Sequence, residues 1–459
     1  TGSALPPYLR IAPDGGIHLG VPSSEMGQGS HTGLAMLLAE ELEIEMSQIH
    51  KVETVHHPDF KNSFIAAAAP AFGLQITGYS TNIRTWYQPC RKLGATAREL
   101  LISAAALKWK VSVKECLAKN GRILHSKSSL SLGYGELARV ASRIKLPKHP
   151  KLKSPKQFRL LGKSVARLDT PAKVDGTAVF GTDVDLPGML YGTVRHCKVF
   201  GEKLISVDDT KAKAVPGVIA VIPLEDQAVV VADSTWTAFR GAEELILHTS
   251  GGHKDLSDES IFQQFHTDLQ KKGVSVAYRG NPGIAIGKSP RVLELEYESP
   301  MQAHAAMEPL CATASVTSEG CEVWAPTQSS DFAMMMAMGV TELPPVKIKV
   351  NTTYLGGGFG RKIEYDFLLA PLVASKVLGK PVKVTWTREE DTRYDFFRPP
   401  FLVNMRFGLN TKGMPEGLKV KLVGPAVSRR WQMPPPWLEE NGYDWVVTSG
   451  MFDGYNLPN

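Results

Sequence analysis

The stretch Tyr354-Leu355-Gly356-Gly357-Gly358-Phe359-Gly360-Arg361-Lys362 has four glycines in five positions. An apolar run, Val346 to Tyr354, reads as a strand entering it. A periodic segment, Phe367 to Leu378, reads as a helix leaving it. Glycines at such a turn let bare backbone approach a ligand closely. Exposed amides and a helix N-terminus would then favour an anionic or oxo group. A tight turn with no ligand is the plainer reading of the glycines alone. A second glycine-bracketed turn is Ser24-Glu25-Met26-Gly27-Gln28-Gly29-Ser30. Gln28 stands between two glycines, so its amide is expected to face a ligand, donating to one atom and accepting from another. A helix N-cap turn with an incidental glutamine competes with that reading.

Three further places hold polar groups suited to a site. The loop from Gln75 to Asn82 carries Thr77, Gly78, Ser80 and Thr81 after the small-residue run Ile65 to Pro70. Its hydroxyls could hold a phosphate or a polar heterocycle, or cap the next helix, and capping suits the loop taken alone. Ala325-Pro326-Thr327-Gln328 reads as a strand end that presents a second amide. Arg398 precedes Pro399-Pro400, which keeps its backbone extended and lets the guanidinium project into a cleft. A salt bridge to Glu389, Glu390, Asp391 or Asp395 is the competing expectation. His56-His57, with His50, Glu53 and Asp59, matches no metal-ligand spacing and reads as a solvated strand end and loop.

These loops need a multidomain scaffold. The chain has 459 residues, 43% hydrophobic and 21% charged, with a net charge of +6. That length suits about two to four domains. Lys and Arg are scattered, so nucleic acid is not an expected partner. The five cysteines are far apart and form no C-x-x-C, so no iron–sulfur cluster is expected on this chain. No run reads as a bilayer span or signal peptide. The pattern predicts an α+β or α/β multidomain fold. Residues 1–144 open with a hairpin, Tyr8–Ile11 and Ile17–Val21. A helix follows whose Leu34, Leu37, Leu38 and Leu42 share a face that Glu41 interrupts. A helix over 88–109 carries Gly94, Ala95 and Ala97, which permit close packing. Residues 145–165 alternate Lys and Pro and read as a solvated linker. Residues 166–250 read as a compact α/β module. The remainder, 251–459, holds the glycine stretch. Gly162-Lys163-Ser164 and Gly287-Lys288-Ser289 lack the first glycine of a phosphate loop, so a nucleotide-binding enzyme is a distant reading.

Together, Met26-Gly27-Gln28-Gly29, Ala325-Pro326-Thr327-Gln328 and Gly356-Gly357-Gly358-Phe359-Gly360 resemble the molybdopterin-binding large subunit of the xanthine oxidase family. In xanthine and aldehyde oxidases the Gly-Gly-Gly-Phe-Gly turn comes before the Met-Gly-Gln-Gly turn. The reverse order here resembles the permuted isoquinoline 1-oxidoreductase beta subunit and the membrane-bound aldehyde dehydrogenases. Pro171 to Ala178 resembles the start of the family's hammerhead module, which places that module at 166–250. The resemblance implies a molybdenum–pyranopterin dinucleotide, of the cytosine form, whose metal is held by the pterin and by no protein side chain. It assigns Gly27, Gln28 and Gly29 to the pyranopterin, and Ser80 and Thr81 to its phosphate side. Gln328 and the turn Gly357, Gly358, Phe359 and Gly360 would face the metal's surroundings, and Arg398 the substrate.

The implied reaction is hydroxylation of an aldehyde or N-heteroaromatic with water as oxygen source. Arg361-Lys362-Ile363-Glu364 departs from the Gly-Lys-Glu of purine oxidisers, so purine is not expected. The family's base is a glutamate in a Gly-x-Gly-Glu segment near the C-terminus, and none lies there in this sequence. A second polypeptide or further sequence is therefore expected to complete the site, and Glu25, Glu308 and Glu364 are not assigned that role. Implied partners are a small 2Fe–2S subunit and a c-type cytochrome subunit. The implied location is the bacterial periplasm or the periplasmic membrane face, with the cytoplasm as the alternative. A non-catalytic molybdopterin-binding or assembly subunit is the competing class.

Overall fold

The computed structural model describes residues 8–68, 74–430, 442–448 and 456–457. Ala69 and Pro70 of the small-residue run lie outside them. Two cores organise the described chain. In the first, strands Leu9–Ile11, Ile17–Val21 and Ile49–Thr54 form a three-stranded sheet, antiparallel then parallel. Helix Ser30–Leu42 buries Leu34, Leu37, Leu38 and Leu42 against the long helix Asn82–Trp109. The helices cross closely because Gly94 has no side chain: a Cβ there would sit 2.5 Å from the Leu38 carbonyl oxygen. After the long helix, strands Cys116–Lys119 and Arg122–His125 pair antiparallel.

Glu41 breaks the apolar face for a reason. It and Glu40 are both fully buried. Glu41 accepts from Arg91 at 2.7 and 2.9 Å and contacts Arg98 at 3.3 Å. Its other partner is the Lys153 amide, at 3.1 Å. Glu40 takes the Lys153 ammonium at 2.7 Å and the amides of Arg159, Leu160 and Leu161. The Lys/Pro segment is thus docked through its second half, not solvated as its composition suggests. A buried carboxylate needs such partners, because unpaired it would be costly to keep charged.

The second core covers a seven-stranded mixed sheet. Its order is Ile348–Thr352, Cys321–Ala325, Cys311–Val316, Val382–Thr385, Leu190–His196, Gln227–Ala232 and Val218–Pro223. Three strands from 166–250 therefore share a sheet with residues 311–385, while Glu202–Asp208 and Ile246–Gly251 pair in a separate two-stranded sheet. Helices Ser330–Thr341 and Leu369–Leu378 contribute to the same core. One expectation fails here. The glycine stretch does not feed an α-helix directly. It enters a 3-10 turn, Arg361–Ile363, then another at Asp366–Leu368, before the helix Leu369–Leu378. Arg361 and Lys362 are buried on ion pairs with Asp366 and Glu308, which hold the chain in that short turn. No α-helix dipole therefore points from this turn. Isolated bridges join Ile76 to Ser329, Phe180 to Tyr354 and Gln302 to Arg398, and draw remote loops together. No described helix is long and apolar enough to cross a membrane.

Glu41→Ala should cost about 3–5 kcal/mol, because it strands buried Arg91. Denaturant unfolding measures the loss, and limited proteolysis should cut residues 145–165 faster. The strap also has a pH dependence. Burial raises the Glu40 carboxyl, but the Lys153 ammonium and the three amides outweigh it and hold it below the usual range. Its contribution is therefore complete above the unfolded value of about 4.3 and fades as pH falls through the lower folded value. Protease protection of the strap should persist at pH 5 (about one unit above the free-glutamate value) and fail in stronger acid.

Candidate functional site

The loops singled out in the sequence meet around one cavity of about 490 Å³. Met26 and Gln28 come from the first glycine turn, and Thr77 to Asn82 from the polar loop. His304, Gln328, Phe359, Gly360 and Glu364 complete most of the wall. The contacts that join these segments are short. Ser24 donates its amide to Thr77 Oγ1 at 2.9 Å and its hydroxyl to the Thr327 carbonyl at 2.7 Å. Leu355 donates to the Glu25 carbonyl at 3.0 Å.

Gln328 is the joint between them. It is 3% exposed. Its Nε2 donates to the Thr77 carbonyl at 2.8 Å, and its Oε1 accepts from the Gly360 amide at 3.1 Å. Its backbone exchanges bonds with the Thr77 amide at 2.7 Å and the Lys362 carbonyl at 2.8 Å. The expected presented amide is instead engaged at both ends by protein. The same correction applies to Gln28. Its Oε1 accepts from the Met26 amide at 2.7 Å, and its Nε2 donates to the Ser24 carbonyl at 2.8 Å and to Ser30 Oγ at 3.0 Å. Gln28 is exposed at the cavity but shapes its own turn.

A buried carboxylate shapes that turn further. Glu25 accepts from the amides of Gly27, Gly29 and His31 at 2.9–3.0 Å. Gly27 and Gly29 take positive φ, at 105° and 81°, as the turn requires. Arg167 reaches Glu25 at 3.1 Å and the Gly27 carbonyl at 2.7 Å. Arg167 also binds Asp169. Burial would raise the Asp169 carboxyl, yet Arg167 and Lys173 together hold it far below the usual range.

The glycine stretch is held from behind. A Cβ on Gly356 would stand 2.4 Å from Glu308 Cβ, and one on Gly358 would stand 2.5 Å from Gln328 Oε1 and 3.2 Å from Met26 Sδ. Phe359 adopts φ 53°, a strained value for a bulky residue, and is 59% exposed. Among the described residues, the amides of Gly357, Gly358 and Phe359 have no acceptor. They are the donors this site has to offer. Ser80 is exposed at the cavity, whereas Thr81 is buried. The Thr81 hydroxyl donates to the Gly78 carbonyl at 2.8 Å and accepts from Asn62 at 2.5 Å.

Arg398 is exposed and makes none of the four salt bridges considered for it. Its Nη2 lies 3.4 Å from the Phe359 carbonyl, beside the turn, while its backbone pairs with Gln302. Glu390, Asp391 and Asp395 serve other cations. Two glutamates are excluded as free bases by their partners: Glu25 as above, and Glu308 by Lys362 at 2.6 Å and the amides of Gly181 and Gly356. The spelling Gly-x-Gly-Glu does occur early, at Gly133-Tyr134-Gly135-Glu136. There Glu136 accepts from the Gly133 amide at 2.6 Å as a helix capping box and does not line the cavity. Sequence reasoning missed His304, whose Nδ1 lies 2.9 Å from Asp395 Oδ2 across 91 positions. Burial would raise the Asp395 carboxyl, but His304 and Arg361 lower it.

Two families described as molybdopterin cofactor-binding domains match residues 6–182 and 265–426. The chain is 29% identical over 420 residues to a membrane-bound aldehyde dehydrogenase (pyrroloquinoline-quinone) of Gluconacetobacter polyoxogenes, covering 88% of this chain and 53% of that protein. It is 28% identical over 438 residues to isoquinoline 1-oxidoreductase subunit beta of Brevundimonas diminuta, covering 85% and 55%. The chain thus spans about half the length of these relatives. A solved aldehyde oxidoreductase from Desulfovibrio gigas aligns with TM-score 0.48 at 18% identity, over 63% of this chain and 37% of that one.

Gln328→Ala should destabilise the protein by about 1–3 kcal/mol, since the Thr77 carbonyl and Gly360 amide both lose a buried partner. Gly339→Ala, where a Cβ meets nothing within 4 Å, is the control. Chemical unfolding of both variants checks the difference.

Proposed function

Because the chain belongs to the molybdopterin-binding large subunits of the xanthine oxidase family, we propose that it forms part of a molybdenum hydroxylase. The substrate class is an aldehyde or an N-heteroaromatic, oxidised with water as oxygen source. Electrons pass to iron–sulfur and cytochrome partners. The observation that carries this reading is the convergence of Met26 and Gln28, of Gln328, and of Phe359 and Gly360 on one cavity.

The residues fit a pterin-held metal. The amides of Gly357, Gly358 and Phe359 are donors without acceptors among the described residues, and Gly358 keeps that wall flat. Ser80, exposed at the cavity, suits a polar edge of a pyranopterin dinucleotide, taken to be the cytosine form, whereas the Gly27 and Gly29 amides are already held by Glu25. When bound, that group supplies a two-electron acceptor and activates water. The chain orients it, because Gln328 and Glu25 fix the two turns against each other. Arg398, whose Nη2 lies 3.4 Å from the Phe359 carbonyl, is taken as the group that meets a polar substituent on the substrate. Glu25 and Glu308 are held on amides and cations, so neither is taken as the proton acceptor, which we place on further sequence or a second polypeptide. The segment order, with 1–144 ahead of a hammerhead-like 166–250, supports the permuted arrangement. A periplasmic setting belongs to the same reading.

The commitment of both glutamates favours one alternative, a molybdopterin-binding or assembly subunit without turnover. Purifying the native complex separates the two. A hydroxylase holds molybdenum near one per complex and puts oxygen from labelled water into its product. Molybdenum without labelled product, across aldehydes and N-heteroaromatics, would establish the alternative. Gly358→Ala should lower bound molybdenum by about 10-fold or more, because a Cβ displaces Gln328 and the wall it anchors.

A further inference from the structure

One group in the cavity wall has no part in the reading above. His304 lies on the loop after the Gln302–Arg398 bridge, just before Ala305, which takes φ 44°. Its amide and its Nδ1 both meet Asp395, at 2.5 and 2.9 Å. Asp395 is 2% exposed, and Arg361 Nε stands 2.8 Å from its other oxygen as a charge contact. The carboxylate is therefore ionised and fixed, and it fixes the imidazole in turn. An ionised carboxylate requires the proton on Nδ1. That leaves Nε2 as the ring's working atom. It has no hydrogen-bond partner among the described residues. A Cβ on Gly360 would stand 3.8 Å from it, which places it beside the glycine turn on the cavity wall.

We propose that His304 is a substrate-positioning residue whose Nε2 hydrogen-bonds the polar atom next to the carbon to be oxidised. To meet a ligand lone pair, Nε2 must take up a proton on binding, and Asp395 supplies the countercharge for that form of the ring. The class of ligand is an N-heteroaromatic, through its ring nitrogen, or an aldehyde, through its oxygen. This rests on the proposed hydroxylase reading and adds the residue that orients its substrate. The arrangement also explains why Asp395 does not pair with Arg398: its two oxygens are already held by His304 and Arg361.

The test uses the purified complex and two probes, isoquinoline and naphthalene, which share a shape but not a lone pair. Diethyl pyrocarbonate labels accessible imidazole nitrogens, and peptide mass reads the label on His304. His304 should be labelled in the free complex and protected by isoquinoline much more than by naphthalene. The variant His304→Asn keeps a donor toward Asp395 and removes the atom facing the cavity. Its KM for isoquinoline should rise about 10-fold with kcat changed far less, the pattern of lost ligand binding. Equal protection by both probes, or an unchanged KM, overturns the inference. So does a joint loss of KM, kcat and bound molybdenum, which marks a structural role. A wild-type complex without molybdenum or turnover instead overturns the hydroxylase reading, while the labelling result still judges His304.

Discussion

One side-chain amide holds the site together. Gln328 donates to Thr77 and accepts from Gly360, so the polar loop and the glycine turn cannot move independently. Thr77 in turn takes the Ser24 amide, which brings in the Met-Gly-Gln-Gly turn. A buried amide with both ends paired is stable only if each partner keeps its place. Three loops from distant parts of the chain therefore become one wall. The glycines are the other half of this constraint. At Gly356 and Gly358 a single added carbon would fall within 2.5 Å of Glu308 or Gln328.

Beneath that wall lies a layer of paired charges. Lys362 meets Glu308, Arg361 meets Asp366 and Asp395, and Arg167 meets Glu25 and Asp169. Buried pairs of this kind contribute little net stability, because desolvation offsets attraction. Their effect is on position. Lys362–Glu308, Arg361–Asp395 and Arg167–Glu25 each join a site loop to another segment, and Glu308, Asp395 and Glu25 also take backbone amides. The same device recurs away from the site, where Glu40 and Glu41 hold the 145–165 strap. The charged residues that interrupt apolar patterns in this chain are those that tie segments.

The sequence made the loops legible and left their partners hidden. Glycine clusters are visible because positive φ and close approach leave few other residues possible. The hairpin and the helices of the first core follow from apolar spacing alone. What the amides of Gln28 and Gln328 do was not legible. A glutamine next to glycine looks free until its fold-distant acceptors are known. The docked strap was hidden for the same reason: Lys and Pro composition suggests solvation, and only the position of Glu40 and Glu41 overrides it. The 3-10 turn that separates the glycine stretch from the helix Leu369–Leu378 reflects Arg361 and Lys362, whose partners lie at Asp395 and Glu308. His304 was missed because its meaning depends on Asp395, and no local pattern links them.

The central claim is that the three loops form one pocket for a pterin-held molybdenum. Diffraction from crystals of the native complex, recorded on both sides of the molybdenum absorption edge, tests it most directly. The account predicts a single anomalous peak in the cavity lined by Gln28, Ser80, Gln328 and Phe359. A peak elsewhere on the chain, or none in a complex that contains molybdenum, would contradict it.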